Sequence, residues 1–367
     1  MIDYLKQCGI KQFLLFIILM IVKSGFAQQN EIAVIASKIG VPGLSVVHVD
    51  KEGKVNSYVY GVKKFGKKSL IDAETTFQAA SLTKVLSAYV FFRFYDRGLI
   101  NLDTPLSEYF DYDRLRDTKD GNKITARMVL THHSGLLNWE GDVGTATWYK
   151  TPLHTQFTPG EDYLYSGEGF FYLQRVLEHL TGKAFQTLVE EEVFIPFAMK
   201  RSQIVWKEEL RTNTAWGHND SISPRNRLAT YFPANAAYSL YSTPLDYTTF
   251  IQAALVRGKG LKKSTHKLML KECALANNDV DVQEIDRHVP LALGLRIQKN
   301  ELGIAYWHTG SNPGFRGFFI VYPESGESVV AFNNSDSGMD AMKYLMELFL
   351  ENNQTFWSYE WRKGELD

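Results

Sequence analysis

The chain has 367 residues, of which 45% are hydrophobic and 22% are charged, an ordinary composition for a globular protein. Its formal net charge is −1 at pH 7 and no basic tract stands out, so nucleic acid is not an expected partner. Since there are only two cysteines, stability has to come from a large hydrophobic core and not from disulfides.

The N-terminal segment has the pattern of a secretory signal peptide. Lys6 and Lys11 precede the apolar run 13–22, and Gly25-Phe26-Ala27 supplies small residues at a cleavage position. The run is too short to cross a bilayer. We therefore predict cleavage after Ala27 and export to the periplasm or the medium. The mature chain, 28–367, would have no membrane span and a charge of 37 − 40 = −3.

The first elements of the mature chain are predicted to be a helix and an antiparallel hairpin. The helix covers about 30–40 and is ended by Pro42-Gly43. The strands Leu44–Val49 and Val55–Tyr60 are joined by the turn 50–54.

A long, almost wholly apolar helix is predicted from Ser81 to about Arg97, with Gly98 as its stop. Such a helix is normally buried. Ser81 and Lys84 are three residues apart and therefore lie on one face, within mutual reach. Burial lowers the pKa of a lysine, whose neutral amine can then take a proton from a neighbouring hydroxyl. This favours Ser81 as an activated nucleophile, although an N-cap serine beside a solvent-reaching lysine explains the pair equally well.

A second Ser-x-x-Lys occurs at Ser264 and Lys267, which shows how weak the motif is alone. Lys262, Lys263 and Lys271 surround it, a pattern typical of a solvated amphipathic helix. We interpret Ser264 and Lys267 as solvent-exposed residues without a catalytic role.

The middle of the chain is predicted to be helical and its end to return to strands. Helices are expected at 103–110, at 124–130 with Thr125 as cap, at 170–180 and at 339–350, and strands at 292–298, 303–308, 317–322 and 328–333. This order predicts one α+β domain. Its antiparallel sheet is flanked by helices and built from both chain ends, about 28–75 and 285–367, with an all-helical lobe, about 76–284, inserted. A cleft between the lobes is the natural place for a site.

Three short motifs point to a family. Ser81-Leu82-Thr83-Lys84, Tyr165-Ser166-Gly167 and His308-Thr309-Gly310 occur in the order, and at roughly the spacing, of the motifs of the penicillin-recognising serine hydrolases. The chain resembles the branch with class C β-lactamases, D-aminopeptidases, D,D-carboxypeptidases and related esterases. The stretches 130–136, 157–160 and 308–314 resemble it too, so the likeness covers about 40–335.

The resemblance implies roles for the motif residues. Tyr165 would direct its phenol at Ser81 and Lys84 and carry protons, and whether the lysine or the tyrosinate is the base stays open. The backbone amides of Ser81 and Ser311 would form the oxyanion hole.

The remaining motif residues are expected to bind substrate. They are Ser166, His308, Thr309 and Gly310, and Gly310 would let the substrate backbone approach closely. The reaction implied is acyl transfer to serine from a small-molecule or peptide substrate, without a metal or an organic cofactor.

Two departures from the family pattern bear on the substrate. Gly167 stands where the family often has an asparagine, which grips the acylamino group of a substrate. His308 stands where β-lactamases usually have a lysine that reads a carboxylate, and a histidine is mostly neutral above pH 7. Peptidase or esterase activity therefore fits better than efficient β-lactam hydrolysis. A class C-like β-lactamase and a non-catalytic ligand-binding protein remain the alternatives.

Two other hydrolase classes are disfavoured by the sequence. His132-His133 is the only histidine cluster, and adjacent helical residues point apart, so a metal site is not expected there. No Gly-x-Ser-x-Gly occurs, which excludes an α/β-hydrolase.

Overall fold

The structure is a computed structural model, and it describes residues 27–143, 145, 147–276, 284–351 and 353–364. The predicted signal peptide therefore lies outside the described residues except for Ala27. Among the helices of the described ranges, none combines the length and the apolar character needed to cross a bilayer.

The strands of the described chain form one large sheet and one small ladder. In chain order they are β1 (Gly43–Val49), β2 (Val55–Gly61), β3 (Phe77–Gln78), β4 (Tyr241–Ser242), β5 (Leu291–Ala292), β6 (Leu295–Asn300), β7 (Gly303–Asn312), β8 (Phe315–Val321) and β9 (Ser328–Asn333). The seven-stranded sheet has the order β2-β1-β9-β8-β7-β6-β5, and all its neighbours are antiparallel. The short ladder pairs β3 with β4.

Helices precede, interrupt and follow these strands. They are α1 (27–39), α2 (Thr83–Asp96), α3 (Ala126–Leu130), α4 (Gly167–Thr181), α5 (Phe185–Val189), α6 (Pro244–Ile251), α7 (Lys263–Leu270), α8 (Glu284–His288), α9 (Ala341–Phe349) and α10 (Trp357–Gly364).

The sheet is built from both ends of the chain, as predicted. β1 pairs with β9 along its length, so that Ser45 lies opposite Phe332. Every residue of β1 and β9 is buried, because helices cover the sheet on both faces. The α+β class predicted from the order of elements is confirmed.

Two hydrophobic clusters lie on opposite faces of the sheet. On one face, Trp307 of β7 packs with Trp361 of α10 at 6.1 Å between ring centroids. On the other, Tyr247 of α6 packs on Phe319 and Phe332 at 5.7 and 6.0 Å. α2 is embedded in this second cluster, which explains why its sequence is apolar all round.

Some element boundaries differ from the prediction. The single strand predicted at 292–298 is two strands, β5 and β6, separated by a turn at Gly294. This glycine has φ +83°, and an added β-carbon would come within 2.3 Å of Ala88 on α2. The helix expected at 103–110 is only the 3₁₀ turn Leu106–Glu108. The β3–β4 ladder and α10 were not predicted.

Other local predictions are confirmed. Thr125 caps α3, since its hydroxyl accepts the amide of Met128 at 3.3 Å. The second Ser-x-x-Lys lies on α7, where both Ser264 and Lys267 are exposed. α4 begins at Gly167, three residues earlier than predicted, because Ser166 caps it.

Candidate active site

The turn that carries Ser81 has an uncommon backbone conformation. Ala80 has φ +50°, in the left-handed region that residues with a β-carbon rarely adopt. The 3₁₀ turn Ala80–Leu82 then leads directly into α2. Thr83 Oγ1 donates to the Ala80 carbonyl at 2.6 Å and accepts the Leu240 amide at 3.1 Å. Backbone strain of this kind persists where the surroundings fix it, and it is frequent at functional sites.

Lys84 is almost completely buried, with 1% of its surface exposed. Its Nζ donates to Ser81 Oγ at 3.3 Å and to the Ala237 carbonyl at 3.1 Å. Burial lowers the pKa of Lys84 to about 7. A large share of the amine is therefore neutral near pH 7, and it can accept a proton from the Ser81 hydroxyl.

Tyr165 reaches the same place from the loop before α4. The Nζ of Lys84 lies 4.7 Å from the centroid of the Tyr165 ring. The rings of His132 and His308 flank that phenol, at 4.3 and 6.4 Å between centroids. The structure thus brings the three residues of the predicted catalytic set together.

His132 is a site residue to which the sequence analysis gave no role. Its Nδ1 accepts the Ser166 amide at 3.1 Å and its carbonyl accepts the Leu164 amide at 2.8 Å, so it holds both neighbours of Tyr165. Burial, together with the positive charge of Lys84, holds the pKa of His132 well below its usual value. His132 is therefore neutral, and its φ of +59° marks a second strained position.

The adjacent His133 has different partners. Its Nδ1 donates to the Thr131 carbonyl at 2.7 Å, whereas His132 binds the chain before α4. Within the described ranges, no group of three His, Cys, Asp or Glu side chains is placed to hold a metal ion.

The second motif forms the start of α4. Ser166 Oγ accepts the Gly169 amide at 2.9 Å and donates to the Leu137 carbonyl at 2.9 Å. Its hydroxyl is thus engaged as a helix cap, a structural task that differs from the substrate contact predicted for it. At Gly167, a β-carbon would come within 2.5 Å of the indole of Trp139. The space of a side chain at 167 is therefore filled by Trp139.

The third motif lies on β7 beside the nucleophile turn. The ladder between β7 and β6 ends at Trp307, so the segment His308–Asn312 continues beyond it. At Gly310 a β-carbon would come within 2.3 Å of the Ala79 carbonyl. Gly310 is thus required by the close packing of the strand on the chain's own turn, a reason other than the substrate approach predicted for it.

His308 is buried and neutral. Its Nδ1 donates to the Thr309 carbonyl at 2.6 Å. Burial lowers the pKa of His308 to about 3, with smaller contributions from the charges of Arg296 and Lys84. At this position the third motif therefore offers no cation for a substrate carboxylate.

A cleft of about 1610 Å³ opens beside the nucleophile turn, and both Ser81 and Ser311 line it. A hydrogen-bonded polar group that the sequence analysis missed lies on its wall. Asn312 Nδ2 donates to Gln78 Oε1 at 3.1 Å, and the Tyr231 hydroxyl donates to the same oxygen at 2.7 Å. Asn312 lies within the motif stretch 308–314, but nothing in the sequence indicated its partners.

The comparisons with known proteins agree with the fold. The antiparallel sheet covered by helices on both faces is a fold that the chain shares with a solved class C beta-lactamase. The family model described as "Beta-lactamase" matches residues 27–350, and the chain belongs to this family.

Individual relatives are distant. The chain is 25% identical over 189 residues to penicillin-binding protein 4 of Amycolatopsis lactamdurans, covering 48% of this chain and 49% of that protein. It is 26% identical over 229 residues to the D-alanyl-D-alanine-carboxypeptidase/endopeptidase AmpH of Escherichia coli K12, covering 59% and 58%. These matches span only about half the length of the curated relatives. Among solved structures, a class C beta-lactamase superposes with a TM-score of 0.73 at 19% identity, covering 89% of this chain and 96% of that one.

Proposed function

We propose that this protein is a serine hydrolase that cleaves an amide or an ester through a covalent acyl-Ser81 intermediate. The observation that carries the proposal is the contact of 3.3 Å between Lys84 Nζ and Ser81 Oγ. Because the pKa of Lys84 is lowered to about 7, the amine is able to act as a base at neutral pH. A purely structural lysine gains nothing from burial beside a serine hydroxyl, since burial opposes its charge.

The reaction follows from these groups. Ser81 Oγ attacks the carbonyl carbon of the substrate while its proton passes to Lys84. The leaving group departs with a proton delivered through Lys84 or Tyr165. Water then attacks the acyl group, its proton is taken by the same pair, and Ser81 recovers its hydroxyl. The amides of Ser81 and Ser311 hold the oxyanion, a contribution of about 3 to 4 kcal/mol per donor.

We infer that the substrate is a peptide or an ester and that β-lactams are poor substrates. Gly167 offers no side-chain amide to a substrate, and Trp139 fills that space. Burial lowers the pKa of His308 to about 3, which leaves this side chain without charge near pH 7. The carboxypeptidase and endopeptidase name of the E. coli relative is consistent with peptide substrates.

We also propose that the protein acts outside the cytoplasm, after cleavage of the segment that ends at Ala27. Its substrate would be a small molecule or a peptide stem met there. No cofactor takes part in the steps described above.

A fluorophosphonate probe tests the proposal. Intact mass measurement should show one adduct on the wild type and none on Ser81→Ala. The matched control is Ser264→Ala, which removes the exposed serine of the second Ser-x-x-Lys and should label like the wild type. Labelling that survives in Ser81→Ala would remove Ser81 from the mechanism. No labelling of any form would favour a non-catalytic binding protein.

A substrate panel then separates the remaining activities. A D-alanyl-D-alanine peptide, a simple ester and a chromogenic cephalosporin are compared with one preparation, and Ser81→Ala serves as the blank. We expect the peptide or the ester to be turned over with the highest kcat/KM. A cephalosporin that exceeds both would establish the class C-like alternative.

A further inference from the structure

Aromatic side chains form one wall of the cleft above Ser81. Trp139, Tyr238 and Tyr231 all line the cleft. Trp139 meets Tyr238 edge to face, at 5.3 Å between centroids and 89° between planes. Tyr238 meets Tyr231 in the same way, at 5.0 Å and 88°. We name these three residues the aromatic wall.

Trp139 of the aromatic wall occupies the space that a side chain at position 167 would need. A β-carbon there would lie 2.5 and 2.6 Å from Cη2 and Cζ2 of Trp139. The Gly167 amide is already engaged, since it donates to Asn138 Oδ1 at 3.0 Å. Beside Gly167 the cleft is therefore lined by the ring of Trp139 and by Asn138.

One buried carboxylate holds two residues that flank Trp139, its chain neighbour Glu140 and its packing partner Trp148. The next residue, Glu140, donates its amide to Glu168 Oε1 at 3.0 Å. Trp148 packs on Trp139 at 5.6 Å between centroids and donates its Nε1 to the same oxygen at 3.0 Å. Glu168 is completely buried, and Arg114 forms two hydrogen bonds with it at 2.8 and 3.0 Å. A side chain fixed in this way loses little freedom when a ligand packs against it.

Further apolar surface is exposed beside the wall. Phe232 and Tyr149 also line the cleft, and they are 78% and 51% exposed. Large aromatic side chains left open next to a concave site are typical of ligand surfaces. The cleft thus combines a reacting hydroxyl with fixed and exposed aromatic rings.

We propose that the aromatic wall binds an aromatic ring of the substrate close to the scissile carbonyl. Stacked or edge-to-face contacts with Trp139 and Tyr238 would favour such a ring over an aliphatic group. The inference rests on the proposed hydrolase activity, and it names the substrate class of that same site. The ring belongs either to the acyl group or to the leaving group, and the experiment distinguishes the two.

Three esters test this proposal by kcat/KM, measured as acid release. Methyl acetate is the reference, methyl phenylacetate adds a ring on the acyl side, and benzyl acetate adds a ring on the leaving-group side. The wild type should prefer one of the ring-bearing esters to methyl acetate by about tenfold or more. The side on which the preference occurs identifies the part of the substrate that meets the wall.

Variants assign the preference to the wall. Trp139→Ala should lose most of the ring preference, while Trp206→Ala should retain it, because the indole of Trp206 does not line the cleft. Trp139→Leu keeps apolar volume without a ring, so it replaces Trp139→Ala in the experiment if that variant fails to fold. Trp139→Leu should also lose the ring preference. A wild type without ring preference, or a preference that persists in Trp139→Leu, would overturn the proposal.

These measurements distinguish an absent ring preference from an absent hydrolase activity. Equal turnover of all three esters, with fluorophosphonate labelling of Ser81 intact, contradicts the aromatic wall alone. Absence of both labelling and Ser81-dependent turnover contradicts the hydrolase activity itself.

Discussion

The Nζ of Lys84 donates a hydrogen bond of 3.1 Å to the carbonyl of Ala237, a group that only accepts. That contact orients the amine whether or not it is protonated, and it leaves the lone pair of the neutral form available toward Ser81. Burial, which lowers the pKa of Lys84 to about 7, then decides how much of the neutral form is present.

The activity should therefore rise with pH through about 7. Only the neutral amine of Lys84 accepts the proton of Ser81, and its fraction grows as the pH passes the lowered pKa. The measurement is kcat/KM for an ester between pH 5 and 9, after subtraction of spontaneous hydrolysis. Lys84→Ala should lower the rate by about 10²-fold or more and abolish the pH-dependent limb. A wild-type profile that stays flat across this range would exclude Lys84 as the base.

The same titration should affect stability. Unfolded Lys84 keeps its proton up to about pH 10.4, whereas the folded protein releases it above about 7. Between these values the unfolded state binds more protons, so the free energy of unfolding rises with pH by up to about 1.4 kcal/mol per unit. The measurement is denaturant unfolding of the wild type and of Lys84→Met at several pH values. Their difference should carry this slope, and parallel curves would contradict a lowered pKa.

Tyr165→Phe removes only the phenolic oxygen. Because the Tyr165 ring already contacts Lys84 and His132, the variant should fold normally. We expect kcat to fall by about 10²- to 10⁴-fold, the usual share of a proton-transferring group. Steady-state kinetics measure the loss, and circular dichroism serves as the control for folding. Turnover within a factor of a few of the wild type would remove Tyr165 from the mechanism.

Glu168→Gln should be strongly destabilising. Arg114 and Glu168 are 5% and 0% exposed, and removal of one charge leaves the other buried without compensation. The expected loss in free energy of unfolding is about 3 to 5 kcal/mol, measured with denaturant. The matched control is Glu208→Gln, which breaks the exposed pair with Arg211 and should leave stability unchanged. Equal effects of the two changes would contradict the role of burial.

We predict that cleavage of the proposed signal peptide leaves a protein that begins at Gln28. The residues that follow Ala27 already belong to α1 and are bound to β2, because Tyr58 donates to Gln28 Oε1 at 2.5 Å and Gln29 Nε2 donates to the Val59 carbonyl at 2.8 Å. The measurement is the intact mass of the secreted or periplasmic product. A product that retains residues 1–27 would contradict the predicted cleavage.

Local patterns were sufficient for much of the fold. Strands such as β1 and β9 were predicted within a residue, because each is a short, mostly apolar run bounded by turn residues. Ser81 and Lys84 were found because a lysine inside an apolar helix conflicts with its surroundings. The division of 292–298 into two strands was not predicted, since it depends on the approach of Ala88 to Gly294, a contact between distant parts of the chain.

The surroundings of the site were harder to predict than its reactive groups. Gly167 was recognised as a missing amide, but nothing local indicates that Trp139 fills the space. His132 occurs in a stretch that drew attention, yet its contact with Tyr165 depends on a left-handed backbone at His132 and on a separate loop. The cap that the Ser166 hydroxyl forms at the start of α4 was not predicted either. Such contacts arise from tertiary packing, which one-dimensional patterns do not contain.

The pairing of β1 with β9, the last strand of the chain, has a consequence for when the site is assembled during synthesis. While the polypeptide is still being made or threaded through a translocation pore, β1 has no β9 to join, and the turn of Ser81 lacks the strand that Gly310 brings against it. A partial product would hold a serine and a lysine but no assembled centre. The Ser81 turn and the sheet can therefore be completed only after β7 to β9 have been synthesised, near the end of translation.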